Sequence, residues 1–146
     1  MGLALKGEGS ANGHRSNRPS LLSRLFGGRD RAQREAQLAD ELQRLERDLE
    51  EDPEAASLHR RAGIAAGRLG HHRIASEYLL RAVHLDPEDA EAWGNLGIAV
   101  GQLGDPFAAS SHFAKALELN PRDSHAKSGR KAALKSMDAL PRIVHH

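Results

Sequence analysis

The sequence predicts an all-α protein built from a short array of helical repeats, and three observations support this fold class. A dipeptide ending in proline recurs every 34 residues, as Asp52-Pro53, Asp86-Pro87 and Asn120-Pro121. The glycines between these dipeptides keep the same spacing, because Gly63, Gly67 and Gly70 return as Gly97, Gly101 and Gly104. Leucines in residues 29–51 recur at helical spacing. A fixed period of this length indicates a repeat architecture.

Residues 1–28 are expected to form a disordered arm. Residues 1–20 contain too few apolar side chains to offset the entropy of the chain by burial. Residues 21–26 then place four apolar side chains on one face of a short helix, which the Gly27-Gly28 pair should end. These side chains are Leu21, Leu22, Leu25 and Phe26. They either pack back onto the first helix or dock on a protein partner or a membrane surface.

Residues 29–51 are expected to form an N-terminal capping helix. Their leucines lie on a single stripe, while Arg, Gln, Glu and Asp occupy the other faces; the stripe consists of Leu38, Leu42, Leu45 and Leu49. A stripe this narrow suits an end helix that covers the open side of a repeat stack. A coiled-coil seam is the alternative, although the segment spans few heptads.

Two repeat units are expected, at residues 56–89 and 90–123, with helices near residues 54–69, 72–85, 88–103 and 106–119. Asp52-Pro53 should begin the first helix, because Asp accepts hydrogen bonds from the free amides of a first turn and Pro at the first helical position loses none. Asp105-Pro106 repeats this pattern at the internal turn of the second unit. A last helix should run from about residue 122 to residue 139, with residues 124–139 beyond the second unit and a flexible tail at residues 140–146.

The second unit resembles a tetratricopeptide repeat. It supplies the family's positions at Trp93, Leu96-Gly97, Gly104, Ala109, Phe113, Ala116, Leu119 and Pro121. The first unit is a looser match and has His59 where Trp is usual. The resemblance implies antiparallel helix pairs that stack as a short right-handed superhelix, with residues 29–51 and 124–139 as the N- and C-terminal capping helices.

The resemblance also implies where a partner would bind. In this family the first helix of each unit lines a concave groove with its second, fifth, ninth, twelfth and thirteenth positions. Those positions hold Ser57, Arg60, Ile64, Gly67, Arg68, Glu91, Gly94, Ile98, Gly101 and Gln102, with Asn95 adjacent and His125 added by the end helix. Some relatives hold acidic tails with a clamp of basic and amide side chains. Of that clamp only Asn95 matches here, with Arg60 as a basic substitute, so an acidic–apolar peptide or helix is the favoured partner.

Two glycines of the expected groove are candidates for ligand contact. Gly63 and Gly97 have a structural reason to be small, since they let paired helices approach closely. Gly67 and Gly101 should instead face the groove, although glycine within a helix is unfavourable by about 1 kcal/mol relative to alanine. We hypothesise that they leave room for the backbone or a bulky side chain of a ligand. The alternative is tolerated drift on a solvated face.

Composition excludes several classes of function. The chain has no cysteine, so neither a disulfide framework nor a thiolate metal site can form. The net charge of +1 gives no overall attraction to nucleic acid or lipid. No apolar run approaches the roughly 18 residues of a membrane span, and the N-terminus lacks a secretory signal pattern. A soluble, cytoplasmic protein that binds no nucleic acid is therefore expected.

The histidines do not form a recognisable catalytic or metal-binding arrangement. The chain has nine of them, yet it contains no His-x-x-x-His pair on a helix and no HExxH sequence. No G-x-S-x-G elbow accompanies the serines. We therefore expect no enzyme activity, no cofactor and no metal.

The expected function is protein–protein interaction without catalysis, as an adaptor or assembly factor whose groove holds a peptide or a partner helix. The alternative is a permanent structural subunit of a larger assembly, tethered by the N-terminal arm. Peripheral membrane attachment through residues 21–26 is a third reading. Because two units are few for a repeat fold, association into a homo-oligomer or stabilisation within a complex is also expected.

Overall fold

The computed structural model describes residues 20–142 of the chain. The described residues fall into two compact units, residues 20–32 and residues 33–142. The described residues form six helices: α1 Leu21–Glu51, α2 Ala56–Arg68, α3 His72–Leu85, α4 Ala90–Gln102, α5 Pro106–Leu119 and α6 Ser124–Asp138. Between residues 20 and 142 no strand occurs, so the predicted all-α fold class is confirmed. Over the same stretch, no helix is both long and apolar enough to cross a bilayer.

Helix α1 begins earlier than the sequence predicts. The backbone N–H of Ser23 donates to the hydroxyl of Ser20 at 3.1 Å, which satisfies a free amide of the first turn. The helix then continues through Gly27 and Gly28, which were expected to end it. Glycine within a helix costs only about 1 kcal/mol relative to alanine, and the flanking Leu, Arg, Ala and Gln are good helix formers. Residues 1–19 of the expected arm and residues 143–146 of the expected tail lie outside the described residues.

The two helical hairpins, α2–α3 and α4–α5, share one register. Every bound of the second hairpin lies 34 residues after its counterpart in the first. Each internal turn is closed by a glycine with positive φ, which is 83° at Gly70 and 88° at Gly104. The N–H of the following residue reaches back to a carbonyl five residues earlier, from His71 to Ala66 at 2.9 Å. This arrangement is a Schellman motif, and it requires the left-handed conformation that glycine adopts without strain.

The dipeptides Asp52-Pro53, Asp86-Pro87 and Asn120-Pro121 follow the ends of helices rather than begin new ones, which corrects the predicted starts of α2, α4 and α6. Asp86 is the C-cap of α3 with an extended backbone, as the residue before a proline prefers. The N-cap of α4 is instead Asp89, whose carboxylate accepts from the backbone N–H of Ala92 at 3.0 Å. The predicted cap at Asp105-Pro106 is confirmed, since Asp105 accepts from Ala108 N–H at 3.0 Å and Pro106 opens α5.

Small residues set the distance between paired helices. A Cβ built on Gly63 would lie 2.5 Å from Cγ of Leu79, and one built on Gly97 would lie 2.9 Å from two ring carbons of Phe113. Leu79 is 1% exposed and Phe113 is 4% exposed, so an added Cβ would have to displace a buried side chain in each hairpin. These two glycines are therefore required by the packing of α2 on α3 and of α4 on α5.

The later part of α1, within residues 33–51, packs its leucines on the first hairpin. Leu45 and Leu49 are buried with Ala62, and Leu42 and Leu58 pack against this cluster. The hydroxyl of Tyr78 on α3 donates to the carboxylate of Glu46 at 3.0 Å. Burial of the ring and this contact with Glu46 raise the pKa of Tyr78 to about 12.

Candidate protein-binding groove

The first helices of successive units, α2, α4 and α6, border two adjacent hollows on one side of the repeats. We call the hollow between α2 and α4 the first concavity and the hollow between α4 and α6 the second concavity. Their volumes are about 250 Å³ and 410 Å³. Ile98 of α4 lines both of them. The two concavities therefore form one groove with Ile98 between them.

The first concavity combines an apolar floor with charged margins. Its floor includes Ile64, which faces Ile98, and its margins carry Arg68, Glu91 and Asn95. The guanidinium of Arg68 has no hydrogen-bond or salt-bridge partner among residues 20–142. The side-chain amide of Asn95 donates to the backbone carbonyl of Glu91 at 2.9 Å.

The second concavity is lined mainly by apolar and small residues. α4 and the α4–α5 turn contribute Gly97, Ile98, Gly101, Gln102 and Gly104. The rest of the wall consists of Pro106, Ala109, Phe113, Gly129, Ala132, Ala133, Ser136 and Leu140. Gly129 lies against the ring of Phe113, where a Cβ would overlap it. Phe113 therefore forms the floor between two glycines.

Eight of the twelve residues predicted for the groove line these concavities. The first concavity includes Ile64, Gly67, Arg68, Glu91, Asn95 and Ile98, and the second includes Ile98, Gly101 and Gln102. Ser57, Arg60, Gly94 and His125 line neither of them. The sequence analysis expected the end helix to contribute His125, whereas the wall consists of α6 residues 129, 132, 133 and 136 together with Leu140 just beyond the helix, and their helical spacing could have revealed it.

Gly94 and Arg60 differ from the groove positions predicted for them. Gly94 is buried, and a Cβ built on it would lie 3.9 Å from Cβ of Ala116 and 3.9 Å from Oδ2 of Asp123. Arg60 is paired within the chain, because its Nη1 donates to Oδ2 of Asp89 at 2.8 Å and its Nε lies 3.6 Å from Glu91. Its charge is therefore largely compensated before any ligand arrives.

The glycines at the back of each concavity leave room for a side chain. A Cβ built on Gly67 would lie 3.7 Å from Cβ of Ala75, and one built on Gly101 would lie 3.5 Å from Cβ of Ala109. Both distances are ordinary van der Waals contacts. The packing of the helices therefore does not require glycine at either position, in contrast to Gly63 and Gly97.

The four apolar side chains predicted as an arm motif lie at the start of α1, within residues 20–32. Their side chains are largely exposed, at 72% for Leu21, 65% for Leu22, 62% for Leu25 and 54% for Phe26.

Metal binding finds no support in the described part of the chain. Residues 20–142 contain no group of three or more His, Asp or Glu side chains placed to hold a metal ion.

Helix pairs of constant register beside an open groove define a helical-repeat protein. Residues 90–123 match the model of the tetratricopeptide repeat family. Solved structures of such domains also match most of the chain. Residues 90–123 are thus a tetratricopeptide repeat, and the chain has the fold of tetratricopeptide-repeat domains.

Three of these solved structures are informative about the fold. The first tetratricopeptide-repeat domain of Spaghetti (RPAP3), bound to the HSP90 peptide SRMEEVD, has a TM-score of 0.69 and 19% identity, covering 82% of this chain and 94% of that one. The Sgt2 domain from Aspergillus fumigatus has a TM-score of 0.68 and 20% identity, covering 88% and 90%. The second domain of human RPAP3, in complex with the HSP70 peptide SGPTIEEVD, has a TM-score of 0.61 and 22% identity, covering 64% and 78%. No curated protein matches the chain.

Proposed function

We propose that the chain is a non-catalytic protein-interaction module, an adaptor or assembly factor, that holds a peptide or a partner helix in its groove. The observation that carries this proposal is the pair of glycines, Gly67 and Gly101, at the back of the two concavities. Each gives up about 1 kcal/mol of helix propensity at a place where an added Cβ would fit without strain. The packing of the helices does not explain why these two residues are glycine, whereas a ligand that occupies the space beside them does.

The groove suits a segment that carries both apolar and acidic side chains. A large apolar side chain would fill the second concavity, above Phe113. An acidic group would pair with Arg68, the exposed cation of the first concavity. The peptides in complex with the two RPAP3 domains end in EEVD and are of this acidic–apolar kind. Because Arg60 is already paired with Asp89, the contact with Arg68 replaces the one predicted for Arg60.

A comparison of three forms of the chain tests the groove. Gly101→Leu fills the second concavity, whereas Gly101→Ala adds the same helix propensity with a methyl group that leaves the hollow open. Proteins captured from a cell lysate by the wild type are identified, and the interacting segment of each is synthesised as a peptide. We expect the peptides to bind the wild type and Gly101→Ala alike and to bind Gly101→Leu at least tenfold more weakly. Equal affinities for all three forms would contradict the proposal.

A permanent structural subunit is the second candidate, and exposed apolar side chains favour it. Leu103 and Phe107 are 51% and 59% exposed and lie on either side of the turn between α4 and α5. Such a pair can pack on another copy of the chain or on a larger assembly. A concentration series in light scattering separates the candidates. A monomer at all concentrations supports the adaptor, and association that Phe107→Ser abolishes supports the subunit.

The same proposal includes a cytoplasmic setting and the absence of catalysis. The groove is lined mainly by apolar, glycine and amide residues, and its charged side chains are Arg68 and Glu91. Its histidine, His72, lines the first concavity and its serine, Ser136, lines the second, so this lining does not offer a nucleophile beside a base. Fluorescence localisation of the full chain, and the persistence of an intact peptide after long incubation with it, test these two statements.

A further inference from the structure

The two repeat units differ in an ion pair made by the fifth residue of their first helix, which is Arg60 in α2 and Gly94 in α4. In the first unit, Arg60 of α2 reaches the start of α4, where its Nη1 donates to Oδ2 of Asp89 at 2.8 Å. Oδ1 of Asp89 meanwhile accepts from the backbone N–H of Ala92 at 3.0 Å. One oxygen of this carboxylate therefore caps a helix, and the other binds a guanidinium.

The second unit keeps the carboxylate and lacks the cation. The residues 34 positions after Arg60 and Asp89 are Gly94 and Asp123. Oδ1 of Asp123 caps α6 by accepting from the N–H groups of His125 and Ala126 at 2.9 and 3.1 Å. Within residues 20–142, Oδ2 of Asp123 accepts no hydrogen bond and joins no salt bridge.

The place of the missing side chain lies between Gly94 and Asp123. A Cβ built on Gly94 would lie 3.9 Å from Oδ2 of Asp123, so a side chain from this direction would reach the carboxylate. The equivalent side chain, that of Arg60, is 29% exposed where it meets Asp89. Asp123 itself is half-buried. A cation arriving from solvent can therefore approach Oδ2 by the route that Arg60 takes in the first unit.

This inference rests on the groove function proposed above and specifies its ligand. We infer that the segment held in the groove carries a lysine or arginine whose charged group binds Oδ2 of Asp123, where Arg60 binds Asp89 in the first unit. A charged donor on a half-buried carboxylate forms a short, strong hydrogen bond. Since Asp123 lines neither concavity, the ligand thus presents a basic group beside the groove, at Asp123, and an acidic group inside it, at Arg68.

The position of Gly94 on α4 sets the spacing within the ligand. Gly94 precedes Ile98 by one helical turn, about 5.4–6 Å along the helix. The basic side chain should therefore lie next to the apolar side chain that enters the second concavity. In an extended ligand, at about 3.3 Å per residue, the two are two residues apart. In a helical ligand they are three or four residues apart.

The test uses a random peptide library displayed on phage and selected on the full chain. Three variants serve as probes of the selected peptides. Asp123→Asn removes the charge and keeps a good N-cap residue. Gly94→Arg supplies the guanidinium from the chain itself and should raise the unfolding midpoint by restoring the pair seen at Arg60. Gly101→Leu fills the second concavity and reports on the groove as a whole.

We expect the selected peptides to share a lysine or arginine at the stated spacing from an apolar residue. Their affinity should fall at least tenfold with Asp123→Asn and with Gly94→Arg. Removing the basic side chain from the peptide should weaken its binding to the wild type at least tenfold. The same change should leave its binding to Asp123→Asn almost unchanged. Peptides that lose binding to Gly101→Leu but not to the other two variants would overturn this inference and leave the groove function standing. If no selected peptide is sensitive to Gly101→Leu, the groove function fails and this inference fails with it.

Discussion

The rings of Trp93 and His112 lie 5.6 Å apart, inclined at 32°, and join α4 to α5. Partial burial lowers the pKa of His112 from its ordinary value, and the nearby charge of Asp105 opposes this only in part. In the folded chain the imidazole therefore stays neutral at a pH where it would be protonated in the unfolded chain.

The lowered pKa of His112 predicts a loss of stability at acidic pH. Protonation of His112 favours the unfolded chain. The contribution of His112 to the free energy of unfolding is therefore fully present above pH about 6.5 and declines as the pH falls below that value. Urea unfolding at pH 7.5 and 5.5 measures the change. His112→Tyr is the matched control, because Tyr78 stands at the equivalent position of the first unit. We expect the variant to lose less stability than the wild type on acidification, and equal losses would contradict the assignment.

Gly97 and Gly101 should respond in opposite directions to the same substitution. Gly97→Ala places a Cβ against the ring of Phe113, which is nearly fully buried, so we expect a loss of about 1–3 kcal/mol. Gly101→Ala meets only Cβ of Ala109 at 3.5 Å, so helix propensity should raise the free energy of unfolding by up to about 1 kcal/mol. Urea denaturation of the two variants measures both effects. A destabilised Gly101→Ala would show that the fold itself requires this glycine.

Asp89, the N-cap of α4, should matter more to stability than Asp105, the N-cap of α5. Asp105→Ala removes one capping hydrogen bond, so we expect a cost of about 0.5–2 kcal/mol. Asp89→Ala removes an equivalent cap and also leaves Arg60 without its closest carboxylate. A charged hydrogen bond in a partly buried site adds roughly 1 kcal/mol or more to that cost. If thermal unfolding gives equal losses for the two variants, the contact with Arg60 contributes nothing to stability.

Leu45 tests the packing of α1 on the repeats. This side chain is 1% exposed and contacts the cluster formed with Leu49 and Ala62. Leu45→Ala should therefore reduce the free energy of unfolding by about 2–5 kcal/mol. Leu38→Ala is the control on the same stripe, and its half-buried side chain should cost clearly less. Comparable losses in urea denaturation would contradict the burial of Leu45.

The sequence predicted the hairpins well because their signals are local. The 34-residue period and the glycines of the turns follow from residues that are near one another in the chain. Even the poor match at His59 is understandable, since its Nε2 lies 2.8 Å from the carbonyl of Pro53, as Nε1 of Trp93 lies 2.8 Å from that of Pro87. Both rings thus place a nitrogen within hydrogen-bond distance of the carbonyl of the proline six residues earlier.

The groove was less predictable because its walls come from distant segments. The family's positions located Ile98 and Gly101, yet the α6 wall depends on how Gly129 stacks on Phe113. The pairing of Arg60 with Asp89 likewise depends on how α2 meets the start of α4. Neither relationship is encoded in the spacing of a single helix.

The continuity of α1 through Gly27 and Gly28 yields a prediction that separates the sequence expectation from the structure. A Cβ built on either glycine has no neighbour within 4 Å, so Gly27→Ala and Gly28→Ala change helix propensity alone. If residues 21–51 already form one helix, the double variant should leave the far-UV circular dichroism nearly unchanged. It should slow amide exchange in residues 21–32, because each alanine favours the helix by roughly 1 kcal/mol. If the glycines instead end a short helix, the double variant should increase the helical signal by several residues, which would restore the boundary that the sequence predicted.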